Sequence, residues 1–128
     1  MKTLYASEIR EINWEELLAQ ILEQQKLNPK DQLFIQGLIK QIIEHQGKID
    51  ELIKEKLEHW DFRRLNSVDR IILKMGVCEM LYFPDIPIKV SIDEAIELAK
   101  KFSSPEAGKF VNGILDAIAK SNKEILAK

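Results

Sequence analysis

Two clusters of basic residues are the part of this chain best suited to chemistry at a surface. Arg63, Arg64, Arg70 and Lys74 make one cluster, and Lys100, Lys101 and Lys109 the other. Cations gathered in this way can neutralise phosphates. They can equally be solvated faces paired with Asp61, Asp69 and Glu97, and residue type alone leaves both readings open. Covalent and metal chemistry have less to draw on. His45 and His59 are the only histidines, and neither sits in a His-Glu-x-x-His arrangement. Cys78 is the single cysteine, which excludes an internal disulfide and a zinc site built on cysteine pairs. Its apolar, helical surroundings make it a packed side chain rather than a reactive thiol. The acid pairs Asp93-Glu94 and Glu15-Glu16 point in different directions on a helix, as a capping turn or a solvated face would. No glycine-rich loop follows a strand, so no phosphate cradle of that kind is expected. These residues predict a protein that is not an enzyme and that holds no metal and no cofactor.

Net charge is −2, so bulk attraction cannot carry nucleic-acid binding. The charge is uneven, however: residues 1–62 hold 8 basic and 12 acidic groups, and residues 63–128 hold 11 and 9. Any nucleic acid should favour the C-terminal half. With 128 residues, 45% of them hydrophobic, the chain can bury one sizeable core. Five glycines and four prolines among many Glu and Lys favour helices over strands. No apolar run approaches the ~20 residues that cross a bilayer, and no signal-peptide pattern opens the chain. A cytoplasmic location is expected.

The basic clusters must be held by the elements between Trp60 and Ala119. Leu65, Val68, Ile72, Met75 and Met80 recur at helical spacing and predict one apolar face over 64–81, with Asp69, Arg70 and Lys74 directed away from it. Ile92, Ala95, Ile96, Ala99 and Phe102 give a second stripe, and Phe110, Val111, Ile114, Leu115 and Ile118 a third. Residues 83–87 and 103–105 break the pattern. Ser103 or Ser104 can cap the last helix, with Pro105 in its first position. Lys109 follows near that start, where a cation opposes the helix dipole. Gly113 lies inside the same helix at a cost of ~1 kcal/mol relative to alanine. It is expected to permit close helix–helix approach, so that Gly113→Leu would destabilise by roughly 1–3 kcal/mol.

Upstream, Leu4, Tyr5 and Ile9 are candidates for burial. Asn13 can cap a helix carrying Trp14, Leu17, Leu18, Ile21 and Leu22. Asn28-Pro29 starts another, with Phe34, Leu38, Ile42 and Ile43, ending near His45 with Gly47 as its stop. Ile49, Leu52, Ile53, Leu57 and Trp60 predict one more. The chain thus reads as all-α, a single compact helical bundle domain over residues 1–128 with about six or seven helices.

The strings IPIKVSIDEAIELAKKFS and KFVNGILDAI resemble the C-terminal signature of the NusB family of bacterial transcription antitermination factors. The preceding Trp, Arg-Leu, Val-Asp-Arg, Ile-Leu and Glu-Met-Leu pattern fits the same family. The resemblance implies a protein that pairs with the ribosomal protein NusE. Together they would bind a single-stranded, boxA-type RNA signal in ribosomal RNA leaders and so keep RNA polymerase processive. In the family, RNA lies across the first helix and the start of the last, which maps onto Tyr5, Glu106, Lys109 and Phe110. Tyr5 would stack on a base, Lys109 would neutralise a phosphate, and Glu106 would temper affinity. Charge adds Lys2 and Lys101 as phosphate contacts. The family's partner-facing helix maps onto Asp69 and Arg70. The arginine-rich tract that the family carries before its first Leu-Tyr is absent, since only Met1, Lys2 and Thr3 precede Leu4. Weak RNA binding by the chain alone is therefore expected. Two alternatives stand beside this reading: a helical module or homodimer without RNA binding, and an RNA-binding domain of the type attached to ribosomal-RNA cytosine methyltransferases.

Overall fold

The computed structural model of the chain describes residues 29–57 and 65–127. Helix α1 spans Pro29–Glu44, α2 Gln46–Lys56, α3 Ser67–Tyr82, α4 Ile88–Phe102, α5 Pro105–Ser121 and α6 Lys123–Leu126. Among the described residues every regular element is a helix, as the composition and periodicity predict. The expected elements around Leu4, Asn13 and Trp60 lie outside the described residues.

The chain divides into two compact units, Met1–Ile39 and Lys40–Lys128, with the border inside α1. In the first unit, α1 begins on Pro29, whose fixed φ suits a first helical position. Ile35 and Leu38 are buried there, while Leu33 and Phe34 are exposed. Phe34 therefore sits beside the buried stripe rather than in it.

In the second unit, α1 continues through the buried Ile42, and Ile43 is exposed. The break after Glu44 is not made by glycine. The His45 N–H bonds back to the Gln41 carbonyl at 3.0 Å, and its ring stacks on Tyr82 with centroids 4.0 Å apart. The chain re-enters helix at once, which leaves Gly47 inside α2 with open space where a Cβ would stand. A tertiary contact thus ends the helix where the sequence suggested a glycine stop. Ile49 and Ile53 carry the buried face of α2.

Helix α3 is the centre of this unit. Its Asn66 cap accepts a hydrogen bond from the Asp69 N–H at 2.8 Å, satisfying one of the free donors at the helix start. Every residue from Asp69 to Met80 is buried, because α2, α4, α5 and α6 all pack against this one helix. The one-faced stripe predicted from sequence is corrected accordingly. Ile71, Leu73 and Val77 are as inaccessible as Ile72, and each such side chain contributes about 1.5–3 kcal/mol on burial. Asp69, Arg70 and Lys74 do not point to solvent; with neighbours on every side, the polar positions of α3 face other helices.

Helices α4 and α5 pack against each other, with Gly108 against Lys100 and Ile96, and the small residues Ala95, Ala99 and Ala107 are buried along with Ile92, Val111 and Ile114. Asn122 caps α6 by accepting from the Ile125 N–H at 3.0 Å, and a Lys48–Glu124 ion pair joins α2 to α6. Gly113 does not serve this packing. It is exposed, and a Cβ built on it meets nothing within 4 Å. The expected close approach is wrong for Gly113, because its side of α5 faces solvent; the close approaches fall at Gly76 and Gly108. Gly113→Ala is therefore expected to raise stability by about 0.5–1 kcal/mol through helix propensity alone. A urea titration checks it, and a loss of stability would contradict the open surroundings of the residue.

Candidate nucleic-acid interface

The corner between α4 and α5 collects most of the exposed residues expected at an RNA surface. Helix α4 ends because the N–H groups of Ser103 and Ser104 both return to the Ala99 carbonyl, at 2.9 and 3.0 Å. Ser104 Oγ then accepts from the Ala107 N–H at 3.1 Å and starts α5, with Pro105 in the first position. Of the two serines proposed as caps, Ser104 does the capping. Asn66 Nδ2 donates to Ser103 Oγ at 3.3 Å and to Asp69 Oδ2 at 3.1 Å, which ties the corner to the start of α3. Asn66 was not among the residues singled out from sequence. Its signal was the Asn-x-x-Asp spacing just before an apolar run, a capping pattern.

This turn brings Lys101, Glu106, Lys109 and Phe110 to one end of the α4–α5 pair. Lys101, Glu106 and Lys109 are exposed, and Phe110 is half-buried. Lys101 Nζ lies 5.6 Å from the Phe102 ring centroid, and the carboxyl end of α4 favours its charge. Glu106 occupies the first turn of α5, where the dipole favours an acid. Two other surface lysines pair with acids four residues away, Lys89 with Asp93 at 3.1 Å and Lys120 with Asp116 at 2.9 Å. Lys100 and Lys109 form no ion pair among the described residues. Lys2 and Tyr5 lie outside the described residues, as do Arg63 and Arg64.

Asp69 and Arg70 are placed differently. Asp69 is 9% exposed and Arg70 5%. Asp69 Oδ2 is engaged by Asn66, while Oδ1 is buried without a hydrogen bond. Burial holds the Arg70 guanidinium below the usual arginine range, opposed by the Asp50 carboxylate. Asp69→Lys would place a second buried cation beside Arg70, so it would disturb the fold. The expected outward direction of Asp69 and Arg70 is corrected by this burial.

Cys78 is fully buried, and burial, reinforced by the Glu79 carboxylate, pushes its thiol up to about 12. Such a thiol stays protonated and inert at neutral pH. Among the described residues no three His, Cys, Asp or Glu side chains are grouped to hold a metal ion, and no helix is long and apolar enough to cross a membrane.

Fold and corner together define a small all-α protein with three exposed lysines and one acid, Glu106, at the corner between two helices. The sequence profile of the NusB family matches residues 1–120, and the chain belongs to that family. It is 38% identical over 122 residues to the transcription antitermination protein NusB of Ruminiclostridium cellulolyticum, covering 95% of this chain and 84% of that one. Against NusB of Bacillus subtilis it is 39% identical over 118 residues, covering 92% and 87%. Among solved structures, NusB of T. maritima superposes with a TM-score of 0.73 at 37% identity, covering 96% of this chain and 94% of that chain. Antitermination factor NusB, solved with NusE and double-stranded RNA, matches with a TM-score of 0.72 at 31% identity, covering 93% and 89%.

Proposed function

We propose that this chain is a transcription antitermination factor that pairs with ribosomal protein NusE and binds boxA-type single-stranded RNA in ribosomal RNA leaders. The observation that carries the reading is the likeness, over nearly the whole chain, to a NusB solved with both NusE and RNA. The exposed Lys100 and Lys109 of the α4–α5 corner support it, since neither forms an ion pair among the described residues. The protein acts by binding, in the cytoplasm, without catalysis and without a cofactor, and it reaches RNA polymerase through the complex. Residues 1–128 work as one domain. Lys2, Lys101 and Lys109 contact phosphates, Tyr5 and Phe110 offer stacking faces, and Glu106 sits at the rim. Asp69 and Arg70 act on the NusE side from within α3, by fixing the helix rather than by open charge.

The test is fluorescence anisotropy of a labelled leader RNA over a salt series, with and without NusE. Three neutralised phosphates give a slope of about −2 in log K against log salt for single-stranded RNA. Binding should be weak alone, tighter with NusE, and reduced in both cases by Lys109→Glu. A double-stranded leader run in parallel decides which form is preferred. Absence of binding even with NusE would overturn the proposal in favour of a structural or homodimeric role.

A further inference from the structure

We propose that Lys100 is a further RNA-phosphate contact and that Gly108 positions it. The inference rests on the RNA-binding reading above and adds to it a residue and the notch that aims it. Gly108 is buried in the second turn of α5, and a Cβ built there would stand 3.0 Å from Lys100 Cγ and 3.2 Å from Lys100 Cε. Ile96 Cγ2 closes the same space at 3.4 Å. The aliphatic stem of Lys100 therefore lies across the backbone of α5, in a place where a Cβ at position 108 would crowd it. The ammonium is one bond beyond Cε, and the residue as a whole is exposed. Its head reaches water while its stem is packed, the usual division of a long cationic side chain.

Close packing of α4 on α5 accounts for the glycine but not for a cation at the head of the stem that crosses it. The carboxyl end of α4 favours a cation at position 100, but many exposed rotamers would satisfy it. Seating the stem over Gly108 gives up rotamer freedom and places a glycine inside a helix, both of which work against stability. What results is an ammonium on a seated stem at the same corner as Lys109, with no ion pair for either among the described residues. Two exposed cations on one corner, neither engaged in an ion pair among the described residues, suit successive phosphates of an RNA strand. Pre-placing Lys100 reduces the ordering cost that a loose lysine would incur on binding.

Two variants separate positioning from charge, measured by anisotropy with a labelled boxA-type leader RNA and NusE present. Lys100→Gln removes the charge and should weaken binding about fivefold and flatten the salt slope by about 0.7, one phosphate's share for a single strand. Gly108→Ala keeps every charge but displaces the stem, and should weaken binding in the same direction while the thermal melt stays at or above wild type. Unchanged affinity and slope in Lys100→Gln, with wild type binding normally, would overturn this inference and leave the RNA-binding reading standing. Normal affinity in a folded Gly108→Ala would overturn the positioning role. No binding by wild type would remove both.

Discussion

Gly76→Leu is expected to destabilise the protein by about 3 kcal/mol, the upper part of the range for overpacking a close-packed core. Gly76 lies midway along α3, the helix packed against on all sides. A Cβ there would stand 2.7 Å from Leu115 Cδ1 and 3.1 Å from Leu115 Cδ2, so both methyls of one α5 side chain occupy its space. Leu115 is itself fully buried, so a side chain as large as leucine must displace close-packed neighbours. Gly76→Ala should cost less, because only the end of a single side chain must move and alanine recovers ~1 kcal/mol of helix propensity. Leu115→Ala alone should cost about 2–5 kcal/mol through the cavity it opens. The combination Gly76→Leu with Leu115→Ala should then cost clearly less than the two single losses together, because the new side chain fills the vacated space. Urea denaturation of the four variants measures this. Additive losses would mean that the two residues do not share one space.

Gly76 and Gly113 differ in what surrounds them, and no local sequence pattern separates them. A glycine inside an amphipathic helix signals either close approach or nothing, and the pattern cannot say which without knowing which side is covered. The cost of a glycine inside a helix points to Gly113 as the packing glycine, yet it falls on the open side of α5. Gly76 drew no attention, although it stands in IILKMGVCEML, a segment apolar almost all round, which is the mark of a helix buried on every side. Reading one stripe there also sent Asp69, Arg70 and Lys74 to solvent. What local chemistry decides was legible: the Ser104-Pro105 start of α5, the stripes of α4 and α5, and the all-helical class. So were Lys101, Glu106 and Lys109 on the corner, because a tight turn brings sequence neighbours into one place. Asn66 reaching Ser103, and Lys100 lying over Gly108, join residues that no short-range pattern connects. The His45 break belongs with them, since Tyr82, 37 residues later by number, supplies the ring that holds it.

The buried charges of α3 lead to the second large expectation: Asp50→Ala should cost about 3 kcal/mol, within the range for breaking a buried ion pair from one side. Lys74 Nζ lies 3.3 Å from Asp50 Oδ1 and 3.3 Å from Gln46 Oε1, joining α3 to α2. The Lys74 side chain is 10% exposed and Asp50 24%, so the cation is the more deeply desolvated partner. Burial is the main reason that the Lys74 ammonium titrates below the ordinary 10.5; Asp50 opposes the shift, and Arg70 and Lys54 add to it. Removing the aspartate leaves a desolvated cation beside other cations. Lys74→Met, which removes the cation and keeps the stem, should cost less. The double change Asp50→Ala with Lys74→Met should recover most of the loss, because neither charge is then stranded. The pH dependence gives a sign that packing alone would not. A depressed lysine pKa means that the unfolded chain holds its proton to higher pH than the folded one. Between the folded-state value and 10.5, stability therefore rises with pH. In Asp50→Ala the folded-state value falls further, so that rise should begin at lower pH than in wild type and be larger. In Lys74→Met this contribution should vanish. Urea titrations of the four proteins at intervals from pH 7 to the ordinary lysine value would show it as a difference between variants, free of the other groups that titrate there. Parallel curves for wild type and Asp50→Ala would mean that Asp50 does not hold the Lys74 proton, and that the α2–α3 contact rests on packing alone.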